Sequence, residues 1–305
     1  MVTDVGGLGD RSFNDSAYAG LKASEAQFGA NIQVLQSRSA ADYQPNLTVL
    51  ANQGYDEIFA IGFLMAKDTN EVAARFPQRH FAIIDAVVDA PNVASITFKE
   101  EEGSFLAGAA AAMVSKKHSI AFLGGIDIPL LRKFEAGFTA GARQIDPNIQ
   151  VAVKYTGNFD DVAAGKELSG VLFSGGADII FVAAGKAGLG AIDQVKSHPD
   201  CFIIGVDSDQ DAIAPGKVLT SMVKRVDIAV LRTALEAAAH KPPHGHLILG
   251  LKDNAVGLTS FQYTKNVMTP ERITTIVKLK EAIIAGTIVA PATREELAQF
   301  KPVKL

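Results

Sequence analysis

The chain has 305 residues and a mass of 32.2 kDa, too long for one ordinary hydrophobic core and short for three, so two lobes are expected. Apolar residues make up 48% and charged residues 20%, which provides for a large buried core and excludes a disordered chain. Acids outnumber bases 33 to 29, for a net charge of −4 with no strongly basic region, which argues against a nucleic-acid binder held by phosphate neutralisation.

Along the chain, short β-branched apolar runs alternate with amphipathic stretches. Strands are expected at Ile32–Leu35, Glu57–Ile61, His80–Asp85, Ala94–Phe98, Ser119–Leu123, Gln150–Tyr155, Asp178–Ala183, Phe202–Val206 and Val218–Met222. Helices are expected at Asn14–Phe28, Gln44–Gln53, Gly103–Ser115, Leu130–Ile145, Val162–Ser174 and Gly188–Ser197. This alternation predicts an α/β fold with mostly parallel sheets flanked by helices, and ligand sites at the carboxyl ends of the strands. The first strand–helix series runs to about residue 117 and the second from 118 to 224. The rhythm then breaks into a helix at Val226–His240, strands at Leu247–Leu251 and Ala255–Leu258, and two more helices. The expected division is 1–117 plus about 225–252 for one lobe and 118–224 plus about 253–305 for the other. Several crossings between them would make a hinge, with a ligand cleft between the lobes.

Other features narrow the chemistry. The single cysteine, Cys201, excludes an internal disulfide and a Cys-based zinc site. His244-x-His246 lies beside Lys241-Pro242-Pro243 and reads as an exposed loop; no metal and no cofactor are expected. No apolar run reaches the roughly 18 residues of a membrane span. The chain opens as Met1-Val2-Thr3-Asp4-Val5, inside a strand-like run, so an upstream segment such as a signal sequence is expected in the native precursor. With 17 Phe, five Tyr and no Trp, rings that stack on a ligand must come from Phe or Tyr.

The first strand leads into Gly7-x-Gly9-x-x-Ser12. A dinucleotide fingerprint would place glycine third and an acid after the second strand, where Ser37-Arg38 stands. Asp4 and Asp10 would also repel a pyrophosphate at the helix start. Gly185-Lys186-Ala187 fails as a phosphate-binding P-loop. No nucleophile elbow and no His-Glu-x-x-His helix occur, so an enzyme is not expected. What Asp10, Ser12, Phe13 and Asn14 offer is an acceptor, a hydroxyl, a ring face and an amide. Those groups suit a flat, neutral, hydrogen-bond-rich ligand. Alternatively, Asp10 and Ser12 cap the helix and Phe13 staples it to the core.

The segment Asp4-Val5-Gly6-Gly7-x-x-Asp10-x-Ser12-Phe13-Asn14 resembles the opening signature of the basic-membrane-protein family, substrate-binding lipoproteins of ABC transporters of the purine nucleoside receptor type. The resemblance continues through Phe98-Lys-Glu-Glu-Glu-Gly103-Ser-Phe-Leu-Ala-Gly108 and Leu123-Gly-Gly125-x-Asp127-x-Pro129-Leu-x-Arg132-Lys-Phe-Glu-Ala-Gly137-Phe. Ala177-Asp-Ile-Ile-Phe181-Val-Ala-Ala-Gly185, Gly205-Val-Asp207-Ser-Asp209-Gln210 and Thr220-Ser-Met-Val-Lys224-Arg-Val-Asp227 complete it, so it covers essentially the whole chain. It implies a two-lobed type I periplasmic-binding-protein fold that captures a purine nucleoside (guanosine, inosine or adenosine) between its lobes. It also implies delivery to a membrane permease by a monomer, lipid-anchored in the periplasm or at the cell surface in its native precursor, with the anchor segment expected to lie outside this chain. Flavin-type ligands or free nucleobases are the alternatives, and a nucleoside-processing enzyme is a more distant one.

Carried over by motif, the resemblance implies that Phe13 and Phe181 sandwich the base, with Asn14 and Asp85 reading its edge. Ser12, Asp207 and Lys224 would hold the ribose, and Gly185 would allow close backbone approach. Asp4, Asp10, Phe63, Met65 and Lys186 are further candidates. Asp207 and Asp85 are alternatively turn caps, and Lys224 alternatively pairs with Asp227. Lys186 stands where relatives would carry Gly-Gly-Thr-Gly around it, which changes the sugar side.

Overall fold

A computed structural model of the chain describes residues 1–304. In chain order these form β1 (Val2–Thr3), α1 (Phe13–Phe28), α2 (Tyr43–Gln53), β2 (Glu57–Ile61), α3 (Ala66–Arg75), β3 (His80–Ile84) and β4 (Val93–Phe98). Next come α4 (Glu100–Val114), β5 (Ser119–Gly124), α5 (Pro129–Ile145), β6 (Gln150–Tyr155), α6 (Val162–Ser174), β7 (Ile179–Ala183) and α7 (Gly188–Val195). The chain closes with β8 (Phe202–Asp207), β9 (Val218–Lys224), α8 (Val226–Ala238), β10 (Gly245–Leu249), β11 (Val256–Leu258), α9 (Pro270–Ile284) and α10 (Arg294–Gln299).

Two compact units result. The first comprises Met1–Phe98 and Arg225–Leu249; the second comprises Lys99–Lys224 and the chain from Gly250 on. The first sheet has order β1-β2-β3-β4-β10, all parallel. The second has order β11-β9-β8-β7-β5-β6, parallel except for the antiparallel β11–β9 pair. The central strands read as near-continuous apolar runs because both of their faces are covered. Ile58, Ile83, Leu47, Leu50 and Val72 pack on one face of the first sheet; Leu123, Ile180, Val182, Ile192 and Ile203 do so in the second.

Three local expectations change. Ile32–Leu35 is not a strand; only Leu35 bridges, in parallel, to Val2. Helix α3 went unanticipated because Ala-Lys-Asp-Thr-Asn-Glu-Val-Ala-Ala-Arg buries only Thr69, Val72 and Ala73. His246 lies on β10 rather than in a loop, its Nε2 2.7 Å from Thr97 Oγ1.

The lobe boundary also moves. The reading of residues 1–117 as one lobe places α4 in the first unit, yet α4 groups with the second. The reason is glycine packing against α5. A Cβ at Gly108 would lie 1.9 Å from the Phe138 carbonyl oxygen, and one at Gly141 would lie 1.8 Å from that of Phe105. The two backbones touch at a distance that only glycine permits. Residues 250–252 likewise join the second unit: Leu251 N–H donates to Glu102 Oε2 at 2.8 Å. Gly141→Ala is therefore expected to force the helices apart and destabilise this unit by about 1–3 kcal/mol, measured by urea unfolding.

Candidate functional site

Strand register aligns the carboxyl edge of the first sheet. Thr3 sits beside Ile61 and Ile61 beside Ile84, so the next residues, Asp4, Gly62 and Asp85, lie along one edge. The β1–α1 turn brings Ser12, Phe13 and Asn14 to the same edge. Asp10 holds this turn: its Oδ1 accepts from the Ser12 and Asp15 N–H groups at 2.9 and 3.1 Å, and its Oδ2 from Asn14 N–H at 2.8 Å. Burial pushes the Asp10 carboxyl above its usual range, and these hydrogen bonds oppose that rise. Asp10 is thus the helix cap, with its carboxylate aimed at the first-turn N–H groups.

Asp4 Oδ1 accepts from Gly6 N–H at 2.9 Å and from Asn14 Nδ2 at 2.8 Å. Asn14 Nδ2 also donates to Asp10 Oδ2 at 3.0 Å. Phe13 is half-buried, with Cε1 next to Gly62. Asp85 directly follows β3 with φ 67°, a left-handed conformation that costs free energy for a residue with a Cβ and is tolerated best by Asn and Asp. Phe63 is half-buried on the turn that follows β2. Met65 is fully buried in the core with Leu47, Ile58 and Val72, so it is no ligand candidate.

The carboxyl edge of the second sheet repeats this pattern. Asp207 ends β8 with φ 63°, matching Asp85. It lies across from Val223 on β9, which puts it beside Lys224. Lys224 Nζ is 3.8 Å from Asp207 Oδ1 and 5.7 Å from the centre of the Phe134 ring, and both charged groups are buried. Asp227, the alternative partner of Lys224, is held instead by Arg225 at 2.8 and 2.9 Å. Gly185 follows β7 with φ 53°, and the half-buried Lys186 shares its helical turn.

Phe181 does not belong to this edge. Its side chain is fully buried, with ring centres of Phe122, Phe134 and Phe138 at 5.7, 6.3 and 5.3 Å. Strand alternation explains the correction: the position lies inside β7 and turns toward α5, where Phe134 and Phe138 enclose it. The ring at the edge is Phe159, which the sequence reading passed over. It is half-buried in the β6–α6 loop. A Cβ at Gly125 would lie 2.2 Å from its Cε1, so the ring rests on that glycine's backbone. Phe159 O accepts from Ala187 N–H at 3.1 Å. Thr156 Oγ1 donates to Asn158 O at 2.6 Å, and Asn158 Oδ1 accepts from the N–H groups of Asp160 and Asp161. The loop is pinned, and its aromatic ring is half-buried against Gly125. The available signal was a lone aromatic among turn formers, Thr156-Gly157-Asn158-Phe159-Asp160, just beyond a strand.

Among the described residues, no cluster of three or more His, Cys, Asp or Glu side chains suits a metal ion. No helix among them is long and apolar enough to cross a membrane. A cavity of about 540 Å³ in the first unit lies at the opposite, amino end of the sheet, lined by Phe28, Gln33, Tyr55 and Glu57, and is not part of this site.

Comparison with known proteins decides the family. The family model described as "ABC transporter substrate-binding protein PnrA-like" (Bmp) matches residues 1–294. The chain belongs to the Bmp family of ABC transporter substrate-binding proteins. It is 37% identical to the CD4+ T-cell-stimulating antigen of Listeria monocytogenes, over 95% of this chain and 87% of that protein. It is 34% identical to the ABC transporter nucleoside-binding protein BmpA of Lactococcus lactis, over 96% and 88%. Among solved structures, an ABC transporter solute-binding protein from Aeropyrum pernix superposes with a TM-score of 0.89 at 26% identity, covering 98% of this chain and 94% of that one. The two mostly parallel, helix-flanked sheets are those of type I periplasmic-binding proteins.

Proposed function

We propose that this Bmp-family protein binds a purine nucleoside through residues at the carboxyl ends of its strands and hands it to a membrane permease. The observation that carries the reading is that each unit has, at or just beyond its strand ends, a half-buried phenylalanine and an aspartate in left-handed conformation. These are Phe13 and Asp85 in the first unit and Phe159 and Asp207 in the second. Backbone strain of this kind persists where surrounding structure imposes it, and it clusters at ligand sites. Phe13 and Phe159 stack on the base; Asn14 and Asp85 read its edge. Asp207 accepts from the ribose hydroxyls, with Lys224 and Ser12 as further sugar contacts and Gly185 admitting the ligand to the backbone. Stacking contributes roughly 1–3 kcal/mol per ring contact, and carboxylate–hydroxyl bonds in a water-poor site are of the strong, charge-assisted kind.

A ligand can shift a conformational equilibrium only by binding one state more tightly, and the ligand-bound state is the one a permease would recognise. The working place of such a protein is outside the cytoplasmic membrane, lipid-anchored as the family resemblance implies. The name of the Lactococcus relative, a nucleoside-binding protein, agrees with the ligand class. Titration calorimetry with guanosine, inosine, adenosine, their free bases and riboflavin tests the reading. One-to-one binding of a purine nucleoside supports it; binding of riboflavin alone, or of none, rejects it. Asp207→Ala is expected to weaken nucleosides at least tenfold while leaving free bases within about twofold; equal losses would remove Asp207 from the sugar site.

A further inference from the structure

Asn14 carries an amide whose two ends have unequal fates. Both N–H bonds of Nδ2 are spent on acids of its own unit, Asp4 Oδ1 at 2.8 Å and Asp10 Oδ2 at 3.0 Å. Turning the amide over would press its carbonyl oxygen against two carboxylates, so the orientation is settled by charge. The acids are themselves fixed. Asp4 accepts from the Gly6 N–H, and Asp10 from the N–H groups of Ser12, Asn14 and Asp15. The other end, Oδ1, is buried without a hydrogen-bond partner among the described residues, in a side chain only 2% exposed. A buried acceptor left unmatched costs about 1–3 kcal/mol, and natural structures keep few of them outside functional sites.

We infer that Asp4 and Asp10 act as positioning residues that lock Asn14 as an obligate hydrogen-bond acceptor, so that the site selects purines carrying an N–H on the polar edge of the ring. The inference rests on the nucleoside reading above and deepens it. Asp10 then leaves the list of direct ligand contacts, since both of its oxygens are engaged in holding the turn and the amide, as is Oδ1 of Asp4. The N1–H of a 6-oxopurine or the amino group of a 6-aminopurine satisfies Oδ1. An unsubstituted purine, which has acceptors on that edge and no N–H, leaves Oδ1 buried and unmatched and places lone pairs against it. A site built around a polar partner rejects the analogue lacking it far more strongly than an apolar pocket rejects a missing methylene.

The test compares inosine with purine riboside, which share the sugar and differ at position 6 and its adjacent ring N–H, by calorimetry on the full chain. The wild type is expected to bind inosine at least tenfold more tightly. Asn14→Leu should weaken inosine and bring the ratio of the two affinities to within about twofold. Asp4→Asn should lower the same ratio by freeing the amide to turn. A merely structural loss at that position would weaken both ligands alike, and the thermal midpoint of each variant monitors folding. A wild-type ratio near one, or a ratio retained in Asn14→Leu, overturns the inference while leaving nucleoside binding intact. A wild type that binds neither ligand overturns the nucleoside reading and the inference together.

Discussion

Phe159→Ala is expected to lower affinity for purine nucleosides at least tenfold with little change in thermal midpoint, whereas Phe181→Ala is expected to do the reverse. The two rings differ in surroundings. Phe159 is half-buried on a loop pinned by its own backbone bonds, so removing the ring leaves no enclosed cavity. Phe181 is fully enclosed by Phe122, Phe134 and Phe138. Truncating an enclosed phenylalanine leaves a cavity and costs about 3–5 kcal/mol. Urea unfolding and calorimetry on the pair separate the roles. A stable Phe181→Ala that has lost the ligand, beside a Phe159→Ala that binds normally, would return the stacking role to Phe181. Phe13→Ala is expected to match Phe159→Ala under the proposed stacking of both rings on the base.

The second large effect concerns Glu57, at the opening of β2. Both of its carboxylate oxygens are buried without a hydrogen-bond partner among the described residues. Burial alone pushes its carboxyl from 4.5 up to about 8. The folded state therefore holds the proton more tightly than the unfolded chain. The cost of this residue is absent below about pH 4.5. It grows as pH rises, because the unfolded chain ionises freely while the folded chain does not, and it levels off once pH passes about 8. The accumulated cost is on the order of 4 kcal/mol, since a displacement of one pH unit corresponds to about 1.4 kcal/mol. Glu57→Gln is expected to melt with the wild type at pH 4.5 and several degrees above it at pH 8.5. A constant difference across that range would show that Glu57 does not titrate this way. Gln33 and Tyr55 line the same cavity, with Tyr55 Oη donating to Gln33 Oε1 at 2.9 Å.

Much of the fold was legible because parallel strands covered on both faces must be apolar throughout. Glu57–Ile61, His80–Ile84 and the interior of β7 stand out for that reason. Helix α3 was not legible, because a helix lying on a sheet needs to bury only three residues to be held there. The boundary near residue 117 followed the rhythm of strand and helix. It could not register that Gly108 and Gly141 bind α4 to α5, since contact between backbones leaves no trace in apolar periodicity. At the site, Ser12, Phe13 and Asn14 were marked by their place after a first strand, and Asp85, Asp207 and Lys224 by strand ends. Their left-handed or buried states are consequences of the fold.

Length and composition led to two lobes, and ordered motifs from Asp4 to Asp227 led to the family; both depend on residue identity along the chain, which local sequence carries in full. The choice between two phenylalanines depended on tertiary structure. Phe181 sits in the more family-like stretch, yet strand pleat turns it into a wall of other rings. Phe159 sits in an aperiodic loop, yet Gly125 gives its ring a floor at the strand ends. Which way a side chain faces is set by the neighbours that fill the space on either side. Those neighbours come from segments far apart in sequence.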